Sequence, residues 1–174
     1  MNGIGKKPVA SDFIIRKSRG QKIPALSLYD APTAKIAFAS GIDLILVGDS
    51  LGMTVLGMDN TLFVKIEDIL RHASAVRRGA PLSFVVADMP FMTYQSSVAD
   101  AMRNAAKCIQ DASCDAVKLE GGSRMAETIS ALVASGIPVM AHIGLLPQKI
   151  LTLGAYRKIG KTDDEKSELL QDAE

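Results

Sequence analysis

Aromatic residues are scarce in this sequence and tryptophan is absent, so that Phe, Tyr and Trp together make up 5% of the 174 residues. Proteins that hold single-stranded nucleic acid stack its bases on aromatic side chains, and no such platform is expected here. An excess of one charge is also lacking, because 20 Lys and Arg stand against 19 Asp and Glu. Phosphate backbones require a clear basic excess or stripe, so the charge balance predicts no nucleic-acid partner.

Cysteine is nearly absent too, with only Cys108 and Cys114 in the chain. Two cysteines cannot cross-link a chain of this length, and their spacing matches no zinc motif. We interpret them as reduced thiols of a cytoplasmic protein, with Cys108 packed in a helix. No apolar run approaches the roughly 20 residues that cross a bilayer, so no membrane partner is expected.

The chain does contain apolar runs of strand length that alternate with segments of helical spacing. The predicted strands are Ile23–Leu28, Asp43–Val47, Leu82–Ala87, Ala116–Leu119 and Pro138–Ala141. The predicted helices are Pro32–Ser40, Lys65–Arg78, Ser96–Ala112, Ser123–Ser135 and Thr162–Glu174. Strands that are apolar throughout are typical of a parallel sheet covered by helices, and the repeated alternation predicts an α/β fold.

Two divisions of the chain follow. Residues 1–22 form a basic N-terminal segment with a short helix near Phe13, and residues 23–174 form the α/β domain. Three glycines, Gly41, Gly79 and Gly136, directly follow predicted helices, where we expect left-handed C-caps.

The first strand distinguishes the two main α/β architectures. A dinucleotide-binding fold carries G-x-G-x-x-G after that strand, whereas this chain continues through residues 27–32 without glycine. A (β/α) barrel is therefore favoured. Tyr29 and Asp30, at the end of this strand, are interpreted as turn-forming residues, with a place in the mouth of the barrel as the alternative.

Polar residues recur at one position, the carboxyl end of successive strands. They are Asp49 and Ser50 after the second strand, Asp88 after the third, Lys118 and Glu120 on the fourth, and His142 after the fifth. Active sites of βα-barrels are built at this face. Asp49, Asp88 and Glu120 together indicate a Mg²⁺ site, because this ion prefers carboxylates completed by water or substrate oxygens.

Each of these residues has a plainer alternative. The two aspartates are equally suited to capping helices, Lys118 to an ion pair with Glu120, and His142 to a place in the core. Gly121-Gly122-Ser123 precedes a helix and is a weak candidate for an anion cradle. No role is assigned to His72, which lies within a predicted helix.

Six short motifs follow one another along roughly residues 20 to 174. They are Ser27–Asp30, Val47–Val55, Ala75–Pro81, Ala87–Met92, Val117–Gly122 and His142–Leu145. In this order they resemble the ketopantoate hydroxymethyltransferase (3-methyl-2-oxobutanoate hydroxymethyltransferase) family. The string Val-Gly-Asp-Ser-Leu-Gly-Met at 47–53 is the most specific, although by itself it also suggests the wider phosphoenolpyruvate/pyruvate barrel superfamily.

The resemblance implies a TIM (β/α)8 barrel and the transfer of a hydroxymethyl group from 5,10-methylenetetrahydrofolate to 3-methyl-2-oxobutanoate. The product is 2-dehydropantoate, in pantothenate and coenzyme A synthesis. Asp49 and Asp88 are implied to be Mg²⁺ ligands facing the substrate, and Glu120 to belong to the metal's surroundings, directly or through water. Ser50, Lys118 and His142 are implied to contact the keto acid. The family also implies a homo-oligomeric ring.

The sequence departs from the family in its extent. Five strands are recognisable where a barrel of about 250 residues has eight, and the family's general base is a glutamate on the strand after His142. We expect that base beyond Glu174, and negligible turnover by these residues alone. Local departures from the family pattern occur at Phe63, Leu146 and Ala155-Tyr156, and the last two lie in the loop after the fifth strand, where they affect the expected substrate contacts.

Two other hypotheses stay open. One is a non-catalytic truncated barrel that acts as a binding or structural partner, with exposed sheet edges that favour association. The other is a carbon–carbon lyase of the same superfamily that acts on a keto acid. Such a lyase would share Gly48-Asp49-Ser50 without needing the motifs at 118–122 and 142–145.

Overall fold

Five parallel strands form one sheet in the computed structural model, which describes residues 6–174. They are β1 (Ala25–Ser27), β2 (Leu44–Val47), β3 (Phe84–Asp88), β4 (Ala116–Glu120) and β5 (Val139–His142). Their order in the sheet is their order in the chain, so β1 and β5 are the edges of the described sheet. All five predicted strands are confirmed, and the sheet is part of a barrel.

Helices connect and flank these strands. They are α1 (Ala10–Ser18), α2 (Ala31–Ala39), α3 (Leu51–Thr54), α4 (Ile66–Gly79), α5 (Val98–Gln110), α6 (Ala126–Ala134), α7 (Ile150–Leu153) and α8 (Asp163–Ala173). Short 3-10 helices lie at Thr61–Phe63, Ser123–Met125 and Pro147–Lys149. None of the described helices is long and apolar enough to cross a membrane.

Side-chain caps fix where several helices begin. Asp30 accepts a hydrogen bond from the backbone N–H of Thr33 at 2.8 Å, which confirms its turn-forming role ahead of α2. Ser97 caps α5 in the same way, and Thr162 caps α8. Each cap pairs a backbone donor that the first turn of a helix leaves free.

The three glycines at helix ends are not equivalent. Gly41 and Gly136 have φ values of 82° and 87°, and they confirm the left-handed C-caps. The prediction for Gly79 is wrong, because this glycine is the last residue of α4 and has no positive φ. A Cβ atom there would lie 2.2 Å from the carbonyl oxygen of Ala31, so Gly79 is needed for the close approach of α2 and α4.

The two faces of the sheet pack differently. Val85 and Ala87 on β3 belong to the main core, which the sheet forms with α2, α4 and α5. Phe84 and Val86 point to the opposite, concave face, where Phe13 of α1 packs against Phe84 with ring centroids 5.1 Å apart. Helix α1 therefore covers the amino-terminal end of the concave face.

An ion pair connects neighbouring segments at the amino-terminal end of the sheet. The Arg77 guanidinium pairs with Asp115 and donates to the carbonyl oxygens of Ser83 at 2.7 Å and Ser113 at 2.9 Å. Asp115 also accepts the N–H of Val85 at 2.8 Å and pairs with Lys7. We call Arg77 and Asp115 the amino-end clamp, since they join α4, β3 and the approach to β4.

Candidate active site at the carboxyl ends of the strands

Four charged side chains are buried together at the carboxyl ends of β2, β3 and β4. Asp49, Asp88, Lys118 and Glu120 are each at most 8% exposed. Charged residues are rarely buried unless they are paired or serve a site, because removal from water penalises the charged form. The sequence placed all four at this edge, and the structure brings them there.

Asp88 is at the centre of this group. The Lys118 ammonium donates to Asp88 Oδ1 at 2.6 Å, and the backbone N–H of Asp49 donates to Asp88 Oδ2 at 3.1 Å. The alternative pairing of Lys118 with Glu120 is wrong. The parallel register sets Lys118 directly beside Asp88 on the next strand, whereas Glu120 lies one pleat further along.

The pKa of Asp88 is raised to about 7, mainly because the carboxyl is buried and in part because the Asp49 carboxylate is close by; the Lys118 ammonium opposes both effects. Ionisation of Asp88 next to the Asp49 carboxylate is therefore unfavourable even with Lys118 beside it. Additional positive charge at this position would stabilise both ionised carboxylates. The site is thus electrostatically suited to a cation.

Glu120 and His142 face each other without a direct hydrogen bond. Glu120 Oε1 and His142 Nδ1 are 3.6 Å apart, and both atoms are buried without a hydrogen-bond partner in the described chain. Glu120 Oε2 is held by the backbone N–H of Gln148 at 3.1 Å. Unpaired buried polar atoms are rare in folded proteins and are typical of sites that take a ligand.

Ser50 lies beside this group, at the start of α3. The Ser50 hydroxyl is 2.8 Å from the Tyr29 hydroxyl. The backbone carbonyl oxygen of Tyr29 is in turn 2.6 Å from Nδ1 of His72. Tyr29 therefore holds Ser50 in addition to ending a strand, and His72 anchors Tyr29. Neither role was predicted, because the contacts join positions that are 21 and 43 residues apart in the chain.

The predicted set of three metal ligands is only partly assembled. Within residues 6–174, no three His, Cys, Asp or Glu side chains lie close enough together to hold a metal ion. Asp49 and Asp88 are adjacent, whereas Glu120 faces His142; Gln148 holds one oxygen of Asp49 and one of Glu120. Mg²⁺ commonly uses one or two carboxylates and takes its other ligands from water and substrate, so Asp49 and Asp88 fit this ion.

A cavity of about 260 Å³ opens next to Glu120, with Tyr94, Met125 and Leu146 among its lining residues. Helix α8 contributes Glu168 and Asp172 to its wall.

The weak candidate for an anion cradle does hold a carboxylate, but one that belongs to the chain. Ser123 donates to Asp172 Oδ1 from its backbone N–H at 2.9 Å and from its hydroxyl at 2.8 Å. A Cβ atom on Gly122 would lie 2.3 Å from the Asp172 side chain, so a glycine is needed for this contact. The cradle thereby docks α8 over the carboxyl end of β4.

Two buried residues of the site were not predicted from the sequence, Tyr94 and Gln148. The Tyr94 hydroxyl accepts the backbone N–H of Glu120 at 2.9 Å and donates to Gln148 Oε1 at 2.8 Å. Burial raises the pKa of Tyr94, so its hydroxyl stays protonated and able to donate. Neither residue follows a strand directly, and the rule that identified the other site residues does not reach them.

Solved structures place the fold in a known class. The chain resembles 2,3-dimethylmalate lyase, a PEP mutase/isocitrate lyase superfamily member, with a TM-score of 0.56 and 16% identity over 76% of this chain and 51% of that one. It resembles oxaloacetate acetylhydrolase with a TM-score of 0.58 and 18% identity over the same shares. These likenesses show the fold, which is that of a partial TIM barrel.

A family model of ketopantoate hydroxymethyltransferase matches residues 7–174, and the chain belongs to that family. It is 52% identical to a 3-methyl-2-oxobutanoate hydroxymethyltransferase of Pyrobaculum arsenaticum over 97% of this chain and 62% of the relative. It is 48% identical to the protein of the same name in Bacillus licheniformis, over 94% and 59%. The chain thus spans about three fifths of the length of these relatives.

Proposed function

We propose that this chain forms the metal- and keto-acid-binding part of a 3-methyl-2-oxobutanoate hydroxymethyltransferase. The observation that carries the proposal is the buried group of Asp49, Asp88, Lys118 and Glu120 at the carboxyl edge of the sheet. Relatives of that name at about half identity support the same reaction. The reaction class is hydroxymethyl transfer in pantothenate synthesis, with 5,10-methylenetetrahydrofolate as the donor.

The keto acid is proposed to bind between Ser50, Lys118 and His142. Asp88 takes one of the three ammonium hydrogens of Lys118, so the others are free to donate to a carboxylate or keto oxygen. Ser50 is oriented by Tyr29 at 2.8 Å, which leaves its hydroxyl with further hydrogen-bonding capacity. His142 Nδ1 is buried without a partner and is suited to a polar group of the substrate.

Asp49 and Asp88 would hold the Mg²⁺ ion that the family resemblance implies, with Glu120 in its surroundings. When bound, this ion supplies positive charge next to the oxygens of the keto acid. The chain's own contribution is to keep two carboxylates adjacent and largely shielded from water, which strengthens their attraction for a cation. Burial is the main cause of the raised pKa of Asp88, and a bound cation would lower that pKa again by favouring the ionised carboxylate.

Proton loss from C3 of the keto acid develops negative charge on the keto oxygen. A fixed Lys118 ammonium stabilises that charge more in the transition state than in the ground state, which lowers the barrier. The enolate carbon then forms a C–C bond to the methylene carbon of the folate donor. Both C–N bonds to that carbon break, water supplies the hydroxyl oxygen, and the proton from C3 and one from water end on the two nitrogens of the departing tetrahydrofolate. We assign the proton-abstracting base to a glutamate outside these 174 residues.

Further features of the whole protein are proposals from family membership. We propose a homo-oligomeric assembly, small-molecule partners only, and a cytoplasmic location, which agrees with two buried cysteines that carry no disulfide in the described chain.

The proposal is tested by isothermal titration calorimetry, in which the chain is titrated with 3-methyl-2-oxobutanoate in the presence and in the absence of Mn²⁺. Binding that requires the metal is expected. Asp49→Asn should lose it, whereas the control Asp59→Asn, at an exposed position, should retain it. Metal-independent binding, or equal binding by both variants, would contradict the assignment.

A turnover assay with 3-methyl-2-oxobutanoate and methylenetetrahydrofolate tests the assignment of the base. Negligible product is expected from the isolated chain. Robust turnover would show that proton abstraction is carried out within residues 1–174. A chain that binds neither metal nor keto acid would support the alternative of a non-catalytic binding or structural partner.

A further inference from the structure

Gln148 occupies an unusual position for an amide side chain. It lies in the 3-10 helix Pro147–Lys149 after β5, yet it is only 4% exposed and reaches the ends of β2, β3 and β4. A buried amide is unfavourable unless its two hydrogens and the lone pairs of its oxygen are paired.

Every polar atom of the Gln148 side chain is satisfied. Its Nε2 donates to Asp49 Oδ2 at 2.9 Å and to the Met89 carbonyl oxygen at 3.0 Å. Its Oε1 accepts from the Tyr94 hydroxyl at 2.8 Å and from Gln95 Nε2 at 2.9 Å. The reversed amide would place its oxygen against two acceptors, so this pattern fixes the orientation.

The same residue touches two of the buried carboxylates of the site, those of Asp49 and Glu120. The Gln148 side chain holds one oxygen of Asp49, and its backbone N–H holds one oxygen of Glu120. In each carboxylate, therefore, one oxygen is tied to the protein through Gln148. Groups that hold a ligating carboxylate from behind fix its direction and tune its affinity for the metal.

We infer that Gln148 is a positioning residue that orients the Asp49 and Glu120 carboxylates, with Tyr94 and Gln95 fixing Gln148 in turn. This inference rests on the proposed function, because the orientation matters for metal and keto-acid binding. Gln148 touches neither the metal nor the substrate in this scheme. It acts through Asp49 and Glu120.

The test compares Gln148→Glu with Gln110→Glu. The first keeps the shape and the acceptor for Tyr94 but replaces the donor to Asp49 with an oxygen. The second makes the same charge change at an exposed position at the end of α5. Two readouts are taken for each variant, the crystal structure without metal and the affinity for Mn²⁺ measured by electron paramagnetic resonance, with the melting temperature recorded alongside.

The expected result for Gln148→Glu is an Asp49 side chain in a new rotamer and an Mn²⁺ affinity reduced about 10- to 100-fold. Gln110→Glu should keep the parent rotamer and affinity. An unchanged Asp49 rotamer together with unchanged affinity would overturn the inference. A loss of affinity that only follows the melting temperature, with Asp49 in place, would also overturn it by making Gln148 merely structural.

Failure of the proposed function gives a different result. If the parent chain binds no Mn²⁺, the metal assignment fails, and the metal-free structure of the Gln148→Glu variant still decides whether Gln148 orients Asp49. Gln148→Asn serves as the second variant. It keeps the amide but shortens its reach, so it should impair Mn²⁺ binding without adding a charge near Asp49.

Discussion

The two ends of the sheet handle buried charge in opposite ways. At the amino end, Arg77 and Asp115 pair with each other and with backbone groups of neighbouring segments. At the carboxyl end, Asp88 keeps a raised pKa despite its ion pair, and Glu120 and His142 leave buried atoms unpaired. The amino end is electrostatically complete, and the carboxyl end is not.

This difference separates stability from function. In βα-barrels the carboxyl end carries the active site, and the opposite end contributes to stability. A binding site must keep polar atoms free for its ligand, and those atoms are unfavourable until the ligand pairs them. The substitutions below are ordered by their expected effect on the free energy of unfolding.

The largest effect is expected from breaking the amino-end clamp. Arg77→Ala leaves Asp115 without its main partner and removes the donors to Ser83 and Ser113. Because the pair is mostly buried, we expect the free energy of unfolding to fall by about 2–4 kcal/mol. Urea denaturation followed by circular dichroism measures this change.

Arg78→Ala is the matched control, since Arg78 is the next residue on α4 and is exposed. It should change the free energy of unfolding by less than about 0.5 kcal/mol. An equal fall in the free energy of unfolding of the two variants would show that the contacts of Arg77 stabilise the fold no more than those of an exposed arginine on α4.

A smaller effect is expected at the edge of the site from Tyr29→Phe. This variant removes the hydroxyl that holds Ser50, with an expected loss of about 1 kcal/mol. It should also weaken binding of 3-methyl-2-oxobutanoate, because Ser50 is then free to turn away. Tyr156→Phe, on a tyrosine that is 45% exposed, should change neither quantity. Unchanged keto-acid binding by Tyr29→Phe would contradict the proposed contact between Ser50 and the substrate.

Almost no loss of stability is expected when both members of the site's central ion pair are replaced. Asp88→Asn combined with Lys118→Met keeps an acceptor for the Asp49 N–H and removes two buried charges. The free energy of unfolding should stay within about 1 kcal/mol of the parent value or rise, because burial penalises both ions. Metal and keto-acid binding should be abolished. A loss as large as that of Arg77→Ala would contradict the contrast between the two ends.

The mildest test leaves the sequence unchanged and labels the thiols. Burial raises the pKa of Cys108 to about 12 and raises the pKa of Cys114 as well. On the order of one Cys108 in 10,000 is therefore ionised at pH 8, and the thiolate is the reactive form. Reaction with Ellman's reagent should be slow in the folded chain, faster as the pH rises, and rapid in guanidinium chloride. Rapid labelling of the folded chain would show that this core opens.

Much of the fold was predictable because its signals are local. Each strand was recognised as an apolar run, and the longer helices α4 and α5 repeat apolar residues every three or four positions. Parallel strands bring their carboxyl ends to the same edge of the sheet, where βα-barrels carry their active sites, and this predicted the common location of Asp49, Asp88, Lys118 and Glu120.

The failures all concern contacts between distant segments. Lys118 pairs with Asp88 because of the strand register, and Gly79 is required by a neighbouring helix. Gln148 joins the site from a position 99 residues after Asp49. No spacing rule within one segment contains that information.

The sequence alone was enough to establish the scarcity of aromatic residues, the balance of charge, the alternation of strands and helices, and the family motifs. It thereby determined the class of fold and the residue types at the mouth of the partial barrel. The tertiary structure decided which of those residues meet, because burial, register and hydrogen bonding depend on all the segments at once. It made Asp49 and Asp88 neighbours, set Glu120 apart with His142, and placed Gln148 between the two carboxylates.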